Sequence, residues 1–120
     1  MDQQVHVSIT DAGDATIATI EVSEISSGVT DALLAWRDEL PGGSRPPKLV
    51  VDLAKVKFVD SVALGALVVL LRRIKQDDGR LALAGLTGHG MRILQVTGLE
   101  KVFELFDDVS SALESLRRPT

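Results

Sequence analysis

The sequence predicts an α/β fold: one domain over residues 1–120, with its core at about 5–116, built on a four- to five-stranded mixed sheet that opens with an N-terminal hairpin and is packed by about four helices. Three observations lead there. Two β-branched alternating segments flank a turn-forming stretch near the N-terminus. After them, short apolar runs alternate with segments of helical periodicity. No run of low complexity, repeat or linker divides the 120 residues, a length suited to a single core at 45% hydrophobic and 25% charged composition.

The elements follow in order. "VHVSI" (Val5 to Ile9) and "ATIATIEV" (Ala15 to Val22) read as strands of a hairpin, because "TDAGD" between them has turn chemistry. Ser26, Ser27 and Gly28 precede a helix to Leu40, with Leu33, Trp36 and Leu40 on one face, and "PGGSRPP" then stops it as a loop. "KLVVDLAKV" reads as a buried strand. From Ser61, the residues Leu64, Leu67, Val68, Leu71 and Ile74 repeat at helical spacing over about 16 residues until "DDG" ends the helix. "RLALAGL" is the next strand. Thr87 is placed to cap a short helix through Met91 and Leu94 that stops at Gly98. "VFELF" gives a last strand, and Val109, Ala112, Leu113 and Leu116 stripe a final helix starting near Asp108. Strands alternating with helices after the hairpin imply parallel pairs joined by helical crossovers.

Composition narrows the function classes. There is no cysteine, which removes disulfides, thiolate nucleophiles and cysteine-based zinc sites and fits a cytoplasmic setting. The first residues lack a basic start and an apolar stretch, and the run Val62 to Leu71 is too short to span a bilayer, so no membrane insertion is expected. A net charge of −4, three Phe, one Trp and no Tyr give no electrostatic or stacking footprint for nucleic acid. Proteins are the expected partners.

Catalytic signals are weak. His6 falls on a strand and His89 on a loop, neither with a carboxylate or second histidine at ligand spacing, so no metal site is expected. Gly85, Gly88 and Gly90 sit where a phosphate loop would be, but the lysine of a P-loop and the G-x-G-x-x-G spacing are missing, and a flexible strand-to-helix connection is the simpler reading. Met91 and Trp36 fall on apolar helical faces and read as core. No cofactor is expected, and the chain does not read as an enzyme. A phospho-aspartate receiver of this length would need an acidic pair after its first core strand, which "TIATIEVSEI" does not provide.

Asp60-Ser61 stands out by position. An acid and a hydroxyl lie between a buried strand and a long helix, where free N–H groups and the positive end of the macrodipole favour an added anion. From the pattern alone, a helix cap accounts for Ser61 and is the simpler reading.

The residues around that pair resemble the STAS-domain family of anti-sigma factor antagonists (anti-anti-sigma factors), over roughly Leu49 to Leu113 and more loosely back to Val5. An apolar strand ending in Asp52-Leu53 is followed by Phe58, Asp60, Ser61, Leu64 and Gly65 in the family's order; "DGRLALAG", Thr97-Gly98-Leu99 and Phe103 or Phe106 match its later signature. The resemblance implies a STAS fold and a partner-switching role in transcription regulation. In the family, the unphosphorylated domain binds an anti-sigma factor of GHKL serine-kinase type and releases the sigma factor. Phosphorylation switches binding off, and a metal-dependent Ser/Thr phosphatase restores it. Carried onto this chain, Ser61 is the phosphorylation site of a phosphoprotein. Glu24, Ser26, Ser27, Gly28, Phe58, Asp60, Ser61, Val62 and Ala63 form the partner-binding surface. Two departures stand out: Val62-Ala63 replaces the family's Ser/Thr-Gly after the phosphoacceptor, and "SEIS" (Ser23 to Ser26) replaces "GE(I/L)D". The alternative is a non-switching STAS interaction module, for example the STAS subunit of an ABC-type lipid transporter. Homodimerisation is left open as a weak association.

Overall fold

The computed structural model describes residues 6–25, 27–39 and 46–118. The predicted hairpin is present as β1 (Val7–Asp11) and β2 (Thr16–Ile20), antiparallel, with Val7 opposite Ile20 and Asp11 opposite Thr16. The predicted start, Val5, lies outside the described residues; within them the first strand opens at Val7 and runs on past Ile9 through Thr10 and Asp11. The reason is the turn: Gly13, at φ 89°, donates its N–H to the Asp11 carboxylate, and the Ala12 N–H reaches the Ala15 carbonyl. Four residues suffice to reverse the chain, leaving Thr10 and Asp11 in the ladder.

Beyond the hairpin the chain alternates: α1 (Ser27–Leu34), β3 (Lys48–Asp52), α2 (Ser61–Gln76), β4 (Arg80–Ala84), α3 (Gly88–Thr97), β5 (Glu104–Phe106) and α4 (Val109–Arg117). The five strands lie in the order β1-β2-β3-β4-β5, and every pair after the hairpin is parallel. The sheet is thus mixed, with five strands. Strand order equals chain order, so right-handed crossovers that step always in the same direction leave their helices on one face. That is what the packing shows. Residues of α1, α2 and α3 share a core with Ala18, Ile20, Leu49, Val51, Leu81 and Leu83, whereas α4 packs alone on the other face through Ala112 and Leu116 against Val50, Ala82 and Ala84. The apolar runs of β3 and β4 have no polar alternation because both of their faces are covered. On the α2 side, Leu67, Leu70 and Ile74 are fully buried; each such side chain contributes about 1.5–3 kcal/mol of burial.

Several boundaries differ from the sequence reading. The first helix is α-helical only to Leu34 and tightens into a 3-10 turn at Trp36–Glu39; Leu40 lies outside the described residues, as does most of "PGGSRPP". The tighter winding turns Trp36 into the core while Arg37 pairs with Asp77 at 2.6 Å. β3 stops at Asp52 instead of continuing to Val56, because the Asp52 carboxylate accepts the Ala54 N–H at 3.1 Å and starts a turn. β4 ends before Gly85, whose φ of 77° breaks the strand, and whose missing side chain admits the Ala54 backbone. β5 is limited to three residues because Val102 still closes the 3-10 turn Leu99–Lys101 by donating to the Leu99 carbonyl. Thr87 does precede α3, but its hydroxyl makes no capping bond, and Gly98 ends the helix at φ 78° as expected. Among the described residues no helix is long and apolar enough to cross a membrane.

Candidate functional site

β2 and β3 are parallel neighbours, so their C-terminal ends exit the sheet side by side. The chain after β2 runs through Ser23 and Glu24 into α1. The chain after β3 runs through Phe58 and Asp60 into α2. The two connections touch. Glu24 and Phe58 form an isolated parallel bridge, and the Ser23 carbonyl accepts the N–H groups of Lys57 at 2.8 Å and Phe58 at 3.1 Å. The two segments singled out from sequence, Glu24 to Gly28 and Phe58 to Ala63, are therefore joined at Glu24 and Phe58. Buried Val56 and Val59 pin the second segment to the core, leaving Phe58 between them 55% exposed.

Asp60 has extended backbone and is the N-cap of α2; its Oδ1 accepts the Ala63 N–H at 2.8 Å, and its carbonyl accepts the Leu64 N–H. This corrects the expectation that Ser61 serves as the cap. Ser61 is the first helical residue, exposed, and its hydroxyl has no hydrogen bond among the described residues. The cap function belongs to the acid because a carboxylate one residue earlier reaches the third N–H of the helix, which a serine already inside the helix cannot. Free N–H groups of the first turn remain beside the hydroxyl, at the positive end of a 16-residue helix.

The sequence-derived set divides. Glu24, Phe58, Asp60, Ser61 and Val62 are exposed together, with Val62 at 65%, and Gly28 is exposed on α1, which Ser27 opens. Ala63 does not belong: it is 1% exposed, turned into the core by the helical twist that points Val62 outward. Ser26 lies outside the described residues.

His89 was missed. It is not in a loop but in the first turn of α3, exposed, with its ring 5.7 Å from that of Phe58 at an interplanar angle of 55°. Close by, Gly90 leaves room for the Leu86 side chain: a Cβ there would lie 2.4 Å from Leu86 Cδ1, whereas Val59 Cγ2, at 3.5 Å, would be in ordinary contact. In this connection Gly85 and Gly90 are closely packed, against Ala54 and Leu86, while Gly88 faces open space at φ 57°. No local pattern reveals this partner, since it follows from β3 and β4 also ending side by side. The surface is thus an apolar tile of Phe58 and Val62, edged by His89, with the Glu24 and Asp60 carboxylates and the Ser61 hydroxyl around it. Among the described residues no cluster of His, Asp and Glu is suited to hold a metal.

Comparison with known proteins bears on the fold and the family. The STAS domain family model matches residues 14–112. A Thermotoga maritima protein provisionally named an anti-sigma factor antagonist is 32% identical over 71 residues, 59% of this chain and 63% of the relative. An anti-sigma-B factor antagonist of Listeria monocytogenes is 33% identical over 57 residues, 48% of this chain and 50% of the relative. The matches therefore span about half to three fifths of those relatives' lengths. In three dimensions, an anti-sigma-factor antagonist (STAS) domain protein of Planctomyces limnophilus superposes with a TM-score of 0.82 at 24% identity, covering 93% of this chain and 98% of that one, a likeness of fold. With a family match over most of its length, this chain belongs to the STAS domain family.

Proposed function

We propose that the chain is an anti-sigma factor antagonist whose unphosphorylated form binds an anti-sigma factor of GHKL serine-kinase type, and that phosphorylation of Ser61 switches the binding off. The observation that carries this reading is the division of labour at the start of α2: Asp60 caps the helix, which leaves the Ser61 hydroxyl exposed and free beside the first-turn N–H groups. A structural role would have engaged that hydroxyl. The relatives named as antagonists support the same role. In this reading the protein acts in the cytoplasm by binding, not by catalysis, and a Ser/Thr phosphatase resets it.

The partner would dock on Glu24, Phe58, Asp60, Ser61 and Val62. Phe58 and Val62 supply apolar area at the centre, and Glu24 and Asp60 supply charge at the rim, the usual anatomy of a protein interface. A phosphoserine adds about −1.5 to −2 charges to this already acidic patch, opposing any partner surface that accepts the unmodified hydroxyl.

The test is a reconstitution with the cognate ATPase, identified by pull-down, and ATP, followed by mass spectrometry. Phosphate on Ser61, lost in Ser61→Ala, and weaker binding of Glu24→Lys at an unchanged unfolding midpoint are expected. Capture of a transporter ATPase, or labelling elsewhere than Ser61, would sink the proposal in favour of a non-switching STAS module.

A further inference from the structure

The outward face of α2 carries a line of residues that no other described residue covers. Val62 is 65% and Val69 38% exposed, and Gly65 between them is exposed with nothing within 4 Å of where a Cβ would stand. At 100° per residue, positions 62, 65, 69 and 72 share one side of the helix, opposite the buried Leu67 and Ile74. Among the described residues nothing requires a glycine there, although glycine is among the weakest helix formers.

The two ends of the line differ in sign. The exposed Asp60 carboxylate stands at the N-terminal end; Arg72 and Arg73, both exposed, stand at the C-terminal end and make no ion pair among the described residues. We propose that this face of α2 docks a second copy of the chain, the two helices antiparallel about a two-fold axis at the level of Leu67.

That pairing sets Val69 of each copy over Gly65 of the other, with the missing side chain as the socket. It brings Arg73 of each copy beside Asp60 and Ser61 of the other, and lays the aliphatic stem of Arg72 along Val62. A surface that is acidic at one end, apolar in the middle and basic at the other complements itself only when reversed, which is what a two-fold axis does. The helix dipoles also oppose each other. Parallel pairing would place Arg72 and Arg73 against their own copies. The line is short compared with the roughly 800 Å² per partner of a standard interface, so the dimer is weak and concentration-dependent.

This inference stands apart from the switching role and is tested without partner or phosphate, but the two surfaces share Asp60, Ser61 and Val62, so dimer and partner compete. Sedimentation velocity on the full chain between about 10 µM and about 1 mM should show monomer passing to dimer. Val69→Glu and Arg73→Glu should each weaken the dimer by about tenfold or more, with unchanged circular dichroism. The chain has no cysteine, so engineered pairs report register cleanly. Gly65→Cys copies mixed with Val69→Cys copies should oxidise to a mixed disulfide faster than Gly65→Cys copies mixed with Val96→Cys copies, since Val96 is 78% exposed on α3 and outside the line. A monomer throughout the range, a dimer indifferent to Val69→Glu, or equal cross-linking in both mixtures overturns the proposal.

Discussion

The Asp60 carboxylate accepts the Ala63 N–H at 2.8 Å, across a Ser61 that takes no part in the bond. Removing the acid should therefore uncap α2, and removing the neighbouring hydroxyl should not. Asp60→Ala is expected to lose about 1 kcal/mol, or about 4 °C in melting temperature for a domain of this size, and Asp60→Asn to keep most of it. Ser61→Ala should stay within about 0.5 kcal/mol of the parent. Urea denaturation checks this; a Ser61→Ala loss as large as that of Asp60→Ala would return the cap to the serine.

This corner also shows what was legible in the sequence. The order and type of every strand and helix could be read because apolar periodicity and glycine punctuation are local signals, and Ser61 stood out because a buried strand and a long helix fix its place. What could not be read is which of two adjacent residues caps, since Asp and Ser both cap well and differ here by a single residue in register. Nor could the Phe58 and His89 contact be read, because it joins two connections 31 residues apart through the parallel pairing of β3 and β4. The Ala63 assignment failed for a related reason: a motif lists consecutive residues, and a helix turns each of them by 100°.

Two glycines should respond oppositely to the same change. At Gly90 a Cβ would stand 2.4 Å from Cδ1 of the buried Leu86, so Gly90→Ala is expected to cost about 1–3 kcal/mol and to shift the Leu86 methyl signals in NMR spectra as that side chain is displaced. At Gly65 the space is open, and Gly65→Ala should stabilise by about 0.5–1 kcal/mol through helix propensity alone. Equal effects at both positions would contradict the packing described.

The Glu21 carboxylate receives Lys55 Nζ at 2.7 Å and the Ser8 hydroxyl at 3.0 Å, fastening β1 and the segment after β2 to the turn after β3. The hydrogen bond from Lys55, then that from Ser8, hold its pKa below the ordinary glutamate value, and Glu21 in turn holds the Lys55 pKa above the ordinary lysine value. The signs fix the pH window. Glu21 contributes stability that is present above its unfolded pKa and is lost as pH falls through its lowered folded pKa. Lys55 contributes stability that is present below its unfolded pKa and is lost as pH rises through its raised folded pKa. Lys55 is exposed and Glu21 only half-buried, so the effect should shrink with added salt. Melting temperatures measured across pH should show a shallower acid limb in Glu21→Gln than in the parent; identical limbs would remove the pair from the pH response.

The last prediction separates binding from folding at Ser61. A phosphate there meets free N–H groups at the start of α2, and the helix dipole contributes about 0.3–1 kcal/mol, offsetting repulsion from the Asp60 carboxylate on the preceding residue. The hydroxyl is exposed and unbonded, so no packing is disturbed and the unfolding midpoint should hardly move. The partner's affinity should move far more. Closing an interface over Phe58 and Val62 strips water from whatever lies beside them, and a dianion desolvated there without a countercharge costs several kcal/mol, which is two or more decades in Kd. Ser61→Ala should bind as the unmodified chain does. Ser61→Asp, with one charge and a shorter reach, should lose only part of the affinity. Calorimetric titration of the three forms against the partner, alongside thermal melts of each, decides the matter: a phosphoserine form that binds as tightly as the parent, or one that melts many degrees lower, would refute a switch that works at the interface.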